Sequence, residues 1–278
     1  MPGEAKRSRS RAEVLASGQR CIYCAEPATT IEHMPPRSMF QGKRRPSGME
    51  FPCCANCNNG TSAADLVAGF LARISPEDVA PDWKMLESYA RIDILEKKAP
   101  GVIAELFNPS KITEEWVPNS IGILRKKYLM KMDGPLVQAY LDIFAAKFGM
   151  ALYREHCKTP IPVEGGVQSA FFLNAGLSQK TADKILADLP DGNTLIQGER
   201  NSVHEQFFYR YNTDNRSIVG ALAGFHDGLY VLTIAFSNYE AGVKVLRPPQ
   251  FRLVRPGQLA TMMPKPPTSS SIILPRRR

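Results

Sequence analysis

Two Cys-x-x-Cys pairs, Cys21/Cys24 and Cys54/Cys57, constrain this chain more than any other feature in it. Each pair sets two sulfurs close enough to share one ion, and two pairs complete the four-sulfur tetrahedron that zinc prefers. The competing readings are a disulfide pair or buried free thiols. The short paired spacing argues against both, as does an N-terminus without the apolar core of a secretory leader. Structural zinc is the expectation, with Cys53 facing away from it and dispensable.

Between the pairs the chain reads Ile31-Glu32-His33-Met34-Pro35-Pro36-Arg37-Ser38, and Cys57 runs at once into Asn58-Asn59-Gly60-Thr61-Ser62 and an apolar helical stretch. Over residues 21–66 this resembles the HNH nucleases of the ββα-metal class. In that family a first Cys pair leads to an acidic-His dipeptide on a strand, and a second leads through Cys-Asn into a helix. The resemblance implies a metal-dependent endonuclease that hydrolyses phosphodiester bonds of nucleic acid, DNA ahead of RNA. It makes His33 the general base and makes Glu32 and Asn58 ligands of a catalytic Mg²⁺ or Mn²⁺ distinct from the zinc. The chemistry fits these types: a neutral imidazole takes a proton from water if an acceptor fixes its tautomer, and carboxylate and amide oxygens suit a hard ion. Asn59 and Asp65 are near enough to compete for the ligand role.

Where many relatives carry an Asn that braces the histidine loop, Met49 stands here. A backbone group or another side chain has to provide that brace. The reading from a different class is a zinc-dependent module that binds nucleic acid or protein without turnover.

Thirty-five Lys and Arg against 27 Asp and Glu leave a net charge of +8, which favours a polyanionic partner. The basic run Lys43-Arg44-Arg45 lies inside the motif and is the candidate phosphate grip. No apolar run is long enough to span a membrane, and free thiols able to bind metal point to a cytoplasmic protein.

The element pattern predicts an α+β chain. A basic disordered arm (1–14) precedes the zinc module (15–75) and a helical connector (76–134), the latter including a helix over 81–98 with an apolar, core-facing side. Next comes an α+β domain (135–262) with an antiparallel sheet, offering a surface for self-association or a partner protein, and then a mobile basic tail (263–278). Within it, Leu136, Tyr140, Phe144, Phe148 and Leu152 mark a central helix over 135–157. A shorter helix spans 178–189, and strands are expected at 206–211, 217–225 and 229–236, the last two joined by a tight Asp227-Gly228 hairpin.

Overall fold

The computed structural model describes residues 10–18, 20–43, 45, 48–74, 82–118, 122–173, 177, 179–189, 194–196, 206–243 and 251–265. Residues 1–9, Arg44 and the tail beyond 265 lie outside that set. Helices and antiparallel sheets alternate along the chain, which is α+β.

The first helix, α1 (Arg11–Ala16), runs across the expected boundary at 14, so the end of the arm expected to be disordered is helical, with Val14 buried. Its start is a capping box, in which Ser10 Oγ accepts from the Glu13 backbone N–H while the Glu13 carboxylate accepts from the Ser10 N–H at 2.6 Å. Ser-x-x-Glu was a legible start signal that the run of arginines obscured. Strands β1 (Thr30–His33) and β2 (Glu50–Cys53) then pair antiparallel, with Glu32 opposite Phe51 and His33 opposite Glu50. Helices α2 (Ala55–Gly60) and α3 (Ser62–Leu71) follow directly. Thr61 stands at the start of α3 without capping it; its hydroxyl turns back to the Cys57 carbonyl at 2.6 Å.

The helix expected over 81–98 is two, α4 (Asp82–Tyr89) and α5 (Ile92–Lys98). Its apolar side is largely outside: Leu86 and Tyr89 are exposed, and only Leu95 is fully buried. After α6 (Val102–Leu106), the expected connector contains a two-stranded ribbon, β3 (Ile112–Pro118) with β4 (Leu124–Met130).

Helix α7 (Pro135–Cys157) organises the rest. Pro135 occupies its first turn, and Glu105 of α6 caps it from outside, accepting from the backbone N–H of Leu136 (3.1 Å) and Val137 (2.8 Å). Buried positions run all round it, from Val137 through Ala145 and Lys147 to Tyr153. A helix apolar on every side must be covered on every side. One side of α7 meets α3. The other meets a six-stranded sheet containing β5 (Gly166–Leu173), β6 (Thr194–Ile196), β7 (Phe207–Thr213), β8 (Ile218–Phe225), β9 (Leu229–Phe236) and β10 (Arg252–Val254). The order is β10-β5-β9-β8-β7-β6, antiparallel throughout. Helix α8 (Gln179–Ala187) and the short α9 (Tyr239–Val243) complete the α-helices of the described residues. Buried apolar side chains from Cys21 to Leu259 form one contiguous cluster, so the N- and C-terminal halves share a core.

The turn between β8 and β9 is a three-residue loop, His226-Asp227-Gly228, closed by the Phe225–Leu229 pair. The left-handed residue is His226 (φ 49°), not the Asp-Gly pair. Its Nε2 lies 2.7 Å from the Met39 carbonyl and its ring packs on Trp83, contacts that hold this backbone in place. Gly228 is needed for closeness instead: a Cβ there would overlap the carbonyl oxygens of Leu71 and Ala72 at the end of α3.

Candidate metal centre and the histidine hairpin

Cys21 and Cys24 lie on the turn before β1, and Cys54 and Cys57 on the turn that starts α2. Their four sulfurs all fall within 4.8 Å of one another, every one buried. Backbone amides point at the sulfurs: Tyr23 N–H donates to Cys21 Sγ (3.4 Å) and Cys57 N–H to Cys54 Sγ (3.3 Å). Such N–H···S bonds favour thiolate over thiol. Neighbouring Cys53 and Cys57 thiols drive Cys21 far below the ordinary thiol range, while burial pushes Cys24 up to about 12. By themselves the four therefore cannot all ionise, and a dication supplies the missing charge. Number, type, burial and spacing fit a structural zinc. Cys53 does not face away. Its thiol sits 3.6 Å from Cys21 Sγ, although it is not part of the four-sulfur set.

His33 ends β1, half-buried, across from Glu50. Burial, then the charges of Arg45 and Arg37, lowers its pKa to about 4, so the imidazole is neutral at pH 7. The expected tautomer-fixing acceptor is missing among the described residues: Nδ1 is buried and unpaired. Arg37, exposed on the loop just beyond, is a cation beside His33 that the motif did not single out.

The loop from Met34 to Met49 is held by Arg45. Its guanidinium donates to the carbonyls of Pro35 (3.2 Å) and Met49 (2.8 Å) and pairs with Glu50 at 2.5 Å, with 6% of its side chain exposed. Arg45 is therefore the brace that Met49 cannot be. It is correspondingly turned inward and is no phosphate grip. Lys43 alone of the described residues in that basic run is exposed. Asn58 also braces, donating from Nδ2 to Thr30 Oγ1 (3.1 Å) and to the Ile31 carbonyl (3.0 Å), which ties α2 to the strand carrying His33.

Neighbours on a strand point to opposite faces, so the Glu32 side chain parts from the His33 imidazole and enters the core, where its Oε1 accepts from the His33 backbone N–H at 3.0 Å. There Lys147 of α7, wholly buried, binds Asp65 with both carboxylate oxygens (2.7 and 2.8 Å) and Glu32 at 3.3 Å, with the Tyr23 ring 5.6 Å away. One ammonium cannot neutralise two carboxylates. Burial, outweighing Lys147, raises Glu32 to about 7 and raises Asp65 as well, while for Lys147 the two carboxylates outweigh burial and raise it. The two acids read as ligand candidates thus already hold a cation of the chain itself. A divalent ion beside His33 would have to draw Glu32 away from Lys147. The sequence signal was a lysine in the apolar run Ala145-Ala146-Lys147-Phe148.

A cavity of about 820 Å³ lies elsewhere, between α8 and the outer face of the sheet at Phe172, Ile185, Leu189 and Ile234. No helix of the described residues is long and apolar enough to cross a membrane. Set against family models, curated proteins and solved structures, the chain matches none. Fold and site together define an α+β chain with a buried four-cysteine cluster able to hold a metal ion.

Proposed function

We propose that this chain is an endonuclease of the HNH type, hydrolysing phosphodiester bonds of nucleic acid, DNA ahead of RNA, in a cytoplasmic setting that keeps its thiols reduced. The observation that carries the reading is His33 itself: a neutral imidazole at the loop end of a hairpin whose other end leads into the four cysteines, with the charge of the exposed Arg37 acting on it. His33 takes the proton from the attacking water and Arg37 meets the phosphate charge. A bound phosphate opposes the arginine charges and so moves the His33 pKa up from about 4, toward the range a base needs. Mg²⁺ or Mn²⁺, if recruited, has Asn58 Oδ1 on offer and must compete with Lys147 for Glu32.

That competition favours a second reading, a zinc-stapled nucleic-acid-binding module without turnover. Cleavage of plasmid DNA and of RNA, with and without Mg²⁺ or Mn²⁺, separates the two. His33→Ala is expected to keep its zinc and to lose about a hundred- to ten-thousand-fold in rate. Wild-type cleavage by His33→Ala removes the hydrolytic reading.

A further inference from the structure

The β3–β4 ribbon stands away from the core. Among its described side chains none is buried, and Trp116 and Tyr128 are each 66% exposed, with Leu124 at 58%. An isolated two-stranded ribbon is marginal in water, and large apolar side chains are seldom left uncovered together. The register places Trp116 opposite Lys126 and Glu114 opposite Tyr128, so both rings share one face with Lys126 between them on β4. Lys126 pairs with Glu114 along that face. From Lys111 to Asp133 five cations (Lys111, Arg125, Lys126, Lys127, Lys131) stand against three carboxylates (Glu114, Glu115, Asp133); Lys111 pairs with Asp133 at 2.8 Å, and Arg125 and Lys127 lie on the face opposite the rings.

Two rings with a cation beside them, on a ribbon of net positive charge, match a partner that alternates flat apolar faces with anions. Unpaired nucleotides have that chemistry, whereas an apolar protein surface would leave Lys126 desolvated. Diagonal neighbours on a ribbon are about 7–8 Å apart, roughly twice the 3.4 Å step between successive bases. We propose that the β3–β4 ribbon is a docking arm for single-stranded nucleic acid, bases stacking on Trp116 and Tyr128 while the surrounding cations meet phosphates. This rests on nucleic acid being the partner of the proposed function, and it adds a contact surface remote from His33.

The chain has two tryptophans, so Trp83→Phe leaves Trp116 as the sole indole reporter. The zinc-loaded full chain carrying Trp83→Phe is titrated with a short oligothymidylate, without added Mg²⁺ or Mn²⁺, at several salt concentrations. Trp116 fluorescence should be quenched, with an affinity that falls as salt rises. By anisotropy of a labelled oligonucleotide, Trp116→Ala and Tyr128→Ala in the otherwise native chain should each weaken binding by about five- to a hundredfold, with zinc content unchanged. Unchanged affinity in both variants overturns the arm. So does an effect that appears as loss of a dimer by sedimentation, or as release from anionic vesicles, instead of loss of oligonucleotide. Plasmid cleavage is followed in parallel. Variants that bind and cut as the wild type remove the arm and leave the hydrolase. A wild type that binds through Trp116 without ever cutting keeps the arm and removes the hydrolase.

Discussion

At the scale of single residues, the chain shows how a motif residue can be diverted by a partner from far along the sequence. Glu32 stands in a ligand position of the HNH pattern, yet Lys147 meets it from more than a hundred residues away. Removing one member of a buried charged group costs more than the group as a whole contributes, because the remaining charges stay buried without compensation. Lys147→Met should therefore destabilise the fold by about 3–5 kcal/mol at neutral pH. The sign of its pH dependence follows from the two acids. Without the ammonium, Glu32 and Asp65 have folded pKa values further above their unfolded ones. The stability this brings is whole below the unfolded carboxylate range and lost as pH rises through the folded values. The deficit of Lys147→Met relative to wild type should thus narrow at pH 5 and widen at pH 8 in denaturant titrations. An equal deficit at both would mean that the cost is packing, not charge. Arg45 carries the same lesson: it and Lys43 looked alike in sequence, and only the hydrogen bonds of Arg45 separate a buried brace from an exposed cation.

At the scale of elements, α7 succeeds because it is thin where it meets the sheet. A Cβ on Gly149 would overlap Thr233 Oγ1 and Val167 Cγ1, side chains of β9 and β5. In a free helix, Gly→Ala is favourable by about 1 kcal/mol. At this position overlap with packed strands should reverse the sign, and overpacking of a tight core costs about 1–3 kcal/mol. Gly149→Ala is expected to lower the denaturation midpoint, whereas a gain would show that helix and sheet have room to separate. The length and register of α7 were plain in the repeat of Leu136, Tyr140, Phe144, Phe148 and Leu152. That its remaining faces are buried too was not, since periodicity reports the average face and not how many neighbours will cover it. The ribbon β3–β4 was harder still: residues 76–134 read as a helical connector, and two strands lie within it.

At the scale of the whole molecule, zinc site, α3, α7 and the sheet are joined through one buried cluster. Metal held by Cys21, Cys24, Cys54 and Cys57 then contributes to the folding of everything that packs on α3. Stripping zinc with a chelator, or replacing Cys54 by Ser, should shift unfolding of the C-terminal sheet together with that of the N-terminal module. Near- and far-ultraviolet circular dichroism should report a single transition. A sheet that melts unchanged after zinc loss would show two independent units in place of one core.

Local chemistry was enough for whatever depends on neighbours in sequence. The paired cysteines, the turn of Asn58 into a helix, the α7 periodicity and the α+β class follow from spacing and side-chain type alone, because sulfur geometry and helical pitch act over a few residues. Tertiary structure decided which charges face which. The charge of Arg45 bears on His33, Glu32 and Asp65 are held by Lys147, and Cys53 lies beside Cys21, because which groups meet across long stretches of chain is set by how the elements pack. Burial then turns each pairing into a large energy, which exposed groups in water would not have.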